Sequence, residues 1–366
     1  MTKTLEGRIL TPQGWVTGRI AFDSHIRGIE PAAGLAGPMI IPGFIDLHCH
    51  GGGGADAMEG EASVRTLART HARHGTTALL ATTMTAPVEE VEVALDGAGR
   101  VIAGRHPGEA RVLGVHLEGP FISPDRLGAQ PPYAIPGDLD LMAQFCDRAD
   151  IRVVTWAPEA DPDGTLQAFL AARDIRVQLG HSSCDYETAA EAFDRGVDGV
   201  THMFNAMTAL HHRAPGIVGA ALAHAEHAEL IPDLLHVHPG AIRAALRAIP
   251  ALYAVTDATA ASGMPNGDYR LGRHTVRKCG NGVRLDDGTL AGSCLTMDQA
   301  FANFVAIGLS PEEASRRTST LAADYLDLAD RGRLTPGAWA DIVVLDADLK
   351  VRGVHVEGES IDLDHA

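Results

Sequence analysis

Lysine is nearly missing from this chain: Lys3, Lys278 and Lys350 are the only three in 366 residues. Positive charge as a whole is scarce, with 30 Lys and Arg against 47 Asp and Glu, a formal net charge of −17. That balance argues against nucleic acid or an anionic membrane as the main partner. It leaves room for a phosphorylated small molecule, because one arginine in a pocket outweighs a diffuse negative field. No apolar run reaches the length of a membrane span, and the opening MTKTLEGRILTPQGW lacks an apolar signal core. A cytoplasmic protein with no membrane partner is the expectation. The five cysteines, Cys49, Cys146, Cys184, Cys279 and Cys294, are odd in number, scattered and free of any CxxC spacing. They read as reduced thiols and not as a disulfide framework. No GxGxxG opens a helix after the first strand, which removes the main support for an open, dinucleotide-binding sheet.

Apolar residues make up 45% of the chain and charged ones 21%, ordinary values for a soluble globular protein. The length suits one large core, or one core with a small annex. Runs rich in β-branched residues predict strands at 44–50, 76–83, 111–118, 151–157, 175–181, 199–204, 229–237 and 252–257. Helical patterns lie between them at 61–74, 87–103, 138–148, 163–173, 185–195 and 240–248, with a longer, Gly/Pro-broken connection at 207–224. Eight alternating units predict an α/β fold, a (β/α)8 TIM-type barrel. A hairpin-like stretch (268–287) and two helices (293–306, 311–327) follow. Short strands at both ends predict a small β-sandwich domain built from both termini. The expected domains are therefore 1–41 plus 335–366, and a barrel of 42–334.

The chemistry-bearing residues sit where predicted strands give way to loops: His48 and His50 in FIDLHCHGGGG, Glu118 in VLGVHLEGPF, His181 in IRVQLGHSS, His202 in GVTHMFNAM and Asp257 in LYAVTDAT. On a strand, side chains alternate, so both imidazoles of His48-Cys49-His50 project to one side and can chelate one ion. Imidazole and carboxylate suit a divalent metal, and an Asp beside it suits acid–base work on water. Barrel strands bring their carboxyl ends to one mouth. Each residue has a plainer reading. The chain holds 18 histidines, and His71, His74, His106 and His274 read as solvated or structural. Glu118 could pair with an arginine, and Asp257 could be a turn or cap residue. A shared position at successive strand ends favours the metal centre. The missing lysines return here: none lies on a predicted barrel strand, so a bridging carbamylated lysine is unavailable. Glu118 is the carboxylate left to bridge or to serve as central ligand.

Longer segments carry a resemblance. PGFIDLHCHG, GVHLEGPFISP, LGHSSCDYETAAEAFDRGVDGVTHMFNAM, RAPGIVGAAL, LLHVHP, VTDATAASGMPNGDYRLG, DDGTLAGSCLTM and LTPGAWADIVVLD span nearly the whole chain. In that order they resemble the N-acetylglucosamine-6-phosphate deacetylases of the amidohydrolase superfamily. The resemblance implies that Glu118, His181 and His202 hold the central metal and that Asp257 accepts and returns the proton. It implies substrate contacts from Asn205, Ala206, Asp233 and His236, and a pocket wall from Ala129 and Leu290-Ala291-Gly292. Arg213 would bind phosphate by reaching into the neighbouring subunit's site, which implies a homodimer.

Two departures matter. Some members replace HxH and use one ion; this chain keeps His48 and His50, so one or two divalent ions per subunit are expected, Zn²⁺ first, with Fe²⁺, Mn²⁺ or Co²⁺ as alternatives. Where the resemblance leads one to expect Gly-x-His, the chain reads Gly128-Ala129-Gln130, and Gln130 is expected to donate an N–H to the oxyanion. The reaction implied is hydrolysis of the acetamide of a sugar phosphate, giving acetate and an amino-sugar phosphate. A galacto epimer, a cyclic amide, and a non-catalytic sugar-phosphate sensor are the alternatives.

Overall fold

A computed structural model describes residues 2–32, 34 and 37–364. The middle of the chain forms eight parallel strands: β1 (Phe44–Cys49), β2 (Thr76–Thr82), β3 (Arg111–Glu118), β4 (Ile151–Trp156), β5 (Arg176–Leu179), β6 (Gly199–Val200), β7 (His227–Leu230) and β8 (Ala251–Ala254). β1 through β6 pair in sequence as one sheet, and β7 pairs with β8. The ring closes at two seams. The backbone N of Met203, just past β6, donates to Glu229 O on β7 at 2.8 Å. Past β8, Asp257 N donates to His48 O at 2.9 Å and His50 N donates to Ala258 O at 2.9 Å. The strands are short and apolar because both faces are covered; every residue of β1, β2 and β8 is buried.

Helices cover the outside at Glu61–Arg73, Val88–Ala103, Leu139–Arg148, Thr165–Ala171, Tyr186–Asp194, Gly216–His224 and Pro239–Ala248. Two of them begin where an aspartate caps the first turn: Asp138 accepts from Leu141 N and Asp185 from Thr188 N. The Gly/Pro-broken connection contains the sixth helix. After β8 come a three-stranded antiparallel sheet (Gly267–Leu271, His274–Cys279, Gly282–Arg284), then the helix Met297–Ala306 and a last helical stretch whose middle, Arg316–Thr320, is a π-turn.

Both ends of the chain meet in one seven-stranded sheet. Met39–Pro42 lies between Lys3–Thr11 from the N-terminal side and Ile342–Leu345 from the C-terminal side. Its two faces serve two cores, as the period-2 alternation of strands allows. Ile9, Ile20, Ile40, Ile342 and Val344 form a small core with Phe22 and Leu334. Leu10, Ile41, Val343, Leu345, Val354 and Val356 join the main core of the barrel.

The sixth and seventh strands end earlier than the sequence predicts, at Val200 and Leu230. Beyond those ends His202 has φ 25° and Leu234 φ 65°, left-handed values that no strand accommodates. The five described cysteines are free, and no described helix is long and apolar enough to cross a membrane.

Candidate metal centre

β1 delivers His48, β3 ends on Glu118, and the chain just past β1, β5, β6 and β8 delivers His50, His181, His202 and Asp257. The last three sit at φ 46°, 25° and 49°, as do Phe204 at 82° and Ala206 at 51°. Non-glycine residues rarely accept such values, and the surrounding hydrogen bonds must enforce them. That bend turns side chains that would otherwise follow the strand toward the barrel axis.

Glu118 stands at the centre. Its Oε1 lies 3.1 Å from His181 Nε2 and 3.0 Å from His202 Nε2, and those two nitrogens are 3.0 Å apart. Its Oε2 lies 3.2 Å from His50 Nε2. His50 Nε2 is in turn 3.2 Å from His48 Nε2 and 3.2 Å from Asp257 Oδ1. The donors therefore form two adjoining groups, Glu118–His181–His202 and His48–His50–Asp257, with the Glu118 carboxylate between them.

A divalent cation fits this donor set, and the outer ring nitrogens say so. His181 Nδ1 donates to Arg126 O at 2.9 Å, His48 Nδ1 to Glu229 Oε2 at 2.9 Å and His50 Nδ1 to Thr82 O at 3.2 Å. Each such bond fixes the tautomer whose Nε2 lone pair points inward, the arrangement that metal-binding imidazoles require. His202 Nδ1 has no partner.

Charge follows the same pattern. Burial pushes the Glu118 carboxyl up, but the facing His48 and His181 outweigh it and hold it well below the usual carboxylate range. Burial likewise raises Asp257, while His50 and His48 bring it below its ordinary value. Burial pulls His50 down, yet Asp257 and Glu118 lift it to about 9. Protons and metal ions thus compete for the same inward positions.

The sequence-predicted residues divide. Ala129, Gln130, Asn205, Ala206, His236, Leu290 and Gly292 line a cavity of about 260 Å³ together with Glu118, His181, His202 and Asp257. Asp233 stands behind His236: its Oδ2 lies 2.7 Å from His236 Nδ1 and its Oδ1 accepts from His236 N at 2.9 Å. Ala291, expected in the wall, is fully buried against Met84, Leu271 and Val283, because its neighbours Leu290 and Gly292 take the cavity side. Arg213 is exposed: its Nη1 lies 2.7 Å from His212 Nε2 and its backbone N donates to His211 Nδ1 at 3.3 Å, and within one chain it does not line the cavity.

Gln130, expected to face the developing oxyanion, lines the cavity and is bonded within the chain. Its amide nitrogen donates to Glu118 Oε2 at 2.5 Å and its oxygen accepts from Thr85 N at 2.7 Å. The short loop after Glu118 brings the amide back onto that carboxylate. Sequence reasoning missed Glu229 altogether; its signal was an acid inside the apolar strand HAEL, where both faces are covered. It also missed Asp46, which accepts from Thr256 N at 3.1 Å and Thr256 Oγ1 at 2.5 Å and so ties β1 to the end of β8.

A closed parallel barrel with imidazoles and carboxylates converging at its carboxyl-end mouth defines the class: a metal-dependent hydrolase of the barrel type. A model of the Amidohydrolase family matches residues 39–361. The chain belongs to that family. It is 39% identical to an N-acetylgalactosamine-6-phosphate deacetylase of Escherichia coli O157:H7, over 98% of this chain and 99% of the relative. It is also 39% identical to an N-acetylglucosamine-6-phosphate deacetylase of Bacillus subtilis (strain 168), over 91% of this chain and 88% of the relative. Among solved structures, a mutant of the N-acetyl-D-glucosamine-6-phosphate deacetylase from Mycobacterium smegmatis, in complex with N-acetyl-D-glucosamine-6-phosphate, matches with a TM-score of 0.89 at 32% identity and covers 99% of both chains.

Proposed function

We propose that this chain hydrolyses the acetamide of N-acetylglucosamine 6-phosphate, releasing acetate and glucosamine 6-phosphate. The observation that carries the reading is the approach of Glu118, His181 and His202 to within about 3 Å of one another, with Asp257 beside them in the same cavity, 3.2 Å from His50 Nε2. Glu118, His181 and His202 would hold one divalent ion, and His48, His50 and Asp257 a second, Zn²⁺ before Fe²⁺, Mn²⁺ or Co²⁺. Such an ion, when bound, acidifies water and polarises the amide carbonyl.

The residues of the chain do the rest. Asp257, held ionised by His50, is placed to take the proton of the attacking water and to return it to the leaving amine. Gln130 holds the Glu118 carboxylate in its position between the two donor groups. His236, oriented by Asp233, and the Asn205-Ala206 backbone are the proposed contacts to the sugar phosphate. Arg213 would complete the site across a homodimer, since its own chain leaves it outside the cavity. Binding energy from the phosphate would then be used to place the amide. The same reading divides the chain into residues 1–41 plus 335–366 and residues 42–334, and places the enzyme in the cytoplasm.

The Escherichia coli relative favours a second reading, the galacto epimer as substrate. Acetate release from the two epimers distinguishes them. The proposal expects the higher kcat/KM on the gluco compound; a preference for the galacto compound selects the second reading, and no release from either overturns both.

A further inference from the structure

The carboxylate of Glu229 lies outside the cavity, fully buried on β7 behind His48. Its Oε2 accepts from His48 Nδ1 at 2.9 Å and from the backbone N of His202 at 3.3 Å. It therefore touches both donor groups, through a side chain of one and the main chain of the other. Its Oε1 has no hydrogen-bond partner. The nearest ring nitrogen, His116 Nδ1, is 3.6 Å away and already lies 3.0 Å from Leu47 O. Among the described residues no lysine or arginine pairs with Glu229. A carboxylate in this position is costly unless positive charge balances it. The side chain that links it to the cavity is the His48 ring, whose Nε2 faces His50 Nε2 at 3.2 Å, Glu118 Oε1 at 3.5 Å and Asp257 Oδ1 at 3.6 Å.

We propose that Glu229 is a positioning residue that sets the affinity of the His48–His50–Asp257 group for a second divalent cation, acting through the His48 ring. The inference rests on the two-ion reading above. A carboxylate on the outer nitrogen makes the inner nitrogen a stronger donor and fixes its aim. A purely structural role, in which Glu229 only fills space and satisfies the His202 N–H, needs no charge. Glutamine would serve that role equally, since its amide oxygen can accept both bonds. The substitution Glu229→Gln therefore separates the two roles.

The test uses the full chain, stripped by chelation and titrated with Mn²⁺ while the exchange-coupled signal of a paired ion is followed by electron paramagnetic resonance. The wild type is expected to take two equivalents and to develop the coupled signal with the second. In E229Q the first equivalent should bind as in the wild type and the second ten- to a hundred-fold more weakly. Glu229→Asp, which keeps the charge but withdraws the oxygen, should fall between them. A lowered melting temperature with both equivalents binding normally overturns the inference. If E229Q gives no folded protein, E229D decides alone: a weakened second equivalent supports the inference and an unchanged one overturns it. A wild type that takes one equivalent overturns this inference and the two-ion reading together, while acetate release by that one-ion protein leaves the deacetylase reading standing.

Discussion

The amide nitrogen of Gln130 lies 2.5 Å from Oε2 of Glu118. The carboxylate proposed to join the two halves of the centre is thus held by a neutral donor twelve residues further along the chain, itself anchored by Thr85 N at 2.7 Å. Second partners of this kind are worth ten- to a hundred-fold in metal affinity. Gln130→Ala is expected to weaken metal binding by about tenfold or more and to lower kcat at saturating metal. Gln130→Glu should be worse than alanine, because it sets a second carboxylate against Glu118. Metal titration of the two variants with matched acetate-release assays checks both statements.

His71 gives stability a pH dependence of known sign. Its Nε2 lies 2.9 Å from Gly51 O, and its Nδ1 is buried without a partner. Burial pushes its pKa down from 6.5 to about 4. The unfolded chain therefore takes up a proton first as pH falls. The contribution of the neutral ring is fully present above about 6.5 and is lost as pH falls toward about 4, a change of about 3 kcal/mol in the limit. In His71→Asn the slope of unfolding free energy against pH between these values should be shallower, by up to about 1.4 kcal/mol per pH unit. Denaturant unfolding at a series of pH values measures it; an unchanged slope contradicts the assignment.

Glu357 joins the terminal sheet to the barrel. It pairs with Arg111 at the start of β3 at 2.7 Å, with Arg105 at 3.3 Å and with Arg331 at 2.5 Å. Burial raises its carboxyl, but the hydrogen bonds from Arg111 and Arg331 outweigh that and bring it down to about 2. Its stabilisation is present above the usual carboxylate value and is lost as pH falls toward about 2. Breaking a buried pair by removing one partner costs about 3 kcal/mol or more. Glu357→Gln should therefore lower stability at neutral pH by an amount of that order, with acetate release below the melting temperature unchanged. Thermal unfolding at pH 7 is the check.

Most of the barrel could be read from the sequence because its strands are covered on both sides and so appear as unbroken apolar runs. β2 shows this best, buried at every residue, with its observed end at Thr82. The strands that misled are those whose last residues turn inward. The run around His202 looks extended, yet φ is 25° there, a value dictated by hydrogen bonds from other strands and invisible in local propensity. The ligand set was legible because each member lies at or just past the end of a strand. The outer partners were not. Glu229 and Asp46 act across the ring, at separations of 181 and 210 residues from His48 and Thr256, and no spacing rule links such positions. Gln130 was noticed, but its bond to Glu118 was not, because a residue type alone does not say which neighbour its amide will find. Arg213 is the reverse case: its expected role lies in a second copy of the chain, beyond the reach of the single-chain fold.

The central claim is that Asp257 moves the proton in a metal-dependent acetamide hydrolysis. Acetate release from N-acetylglucosamine 6-phosphate by the wild type and by Asp257→Asn, each before chelation, after it and with metal restored, tests the claim most directly. The wild type should fall silent on chelation and recover with metal. The variant should retain metal at the Glu118–His181–His202 group and still release acetate at least a hundred-fold more slowly, about the contribution of a positioned acid–base group. Turnover that survives chelation, or a metal-loaded variant working near the wild-type rate, contradicts it.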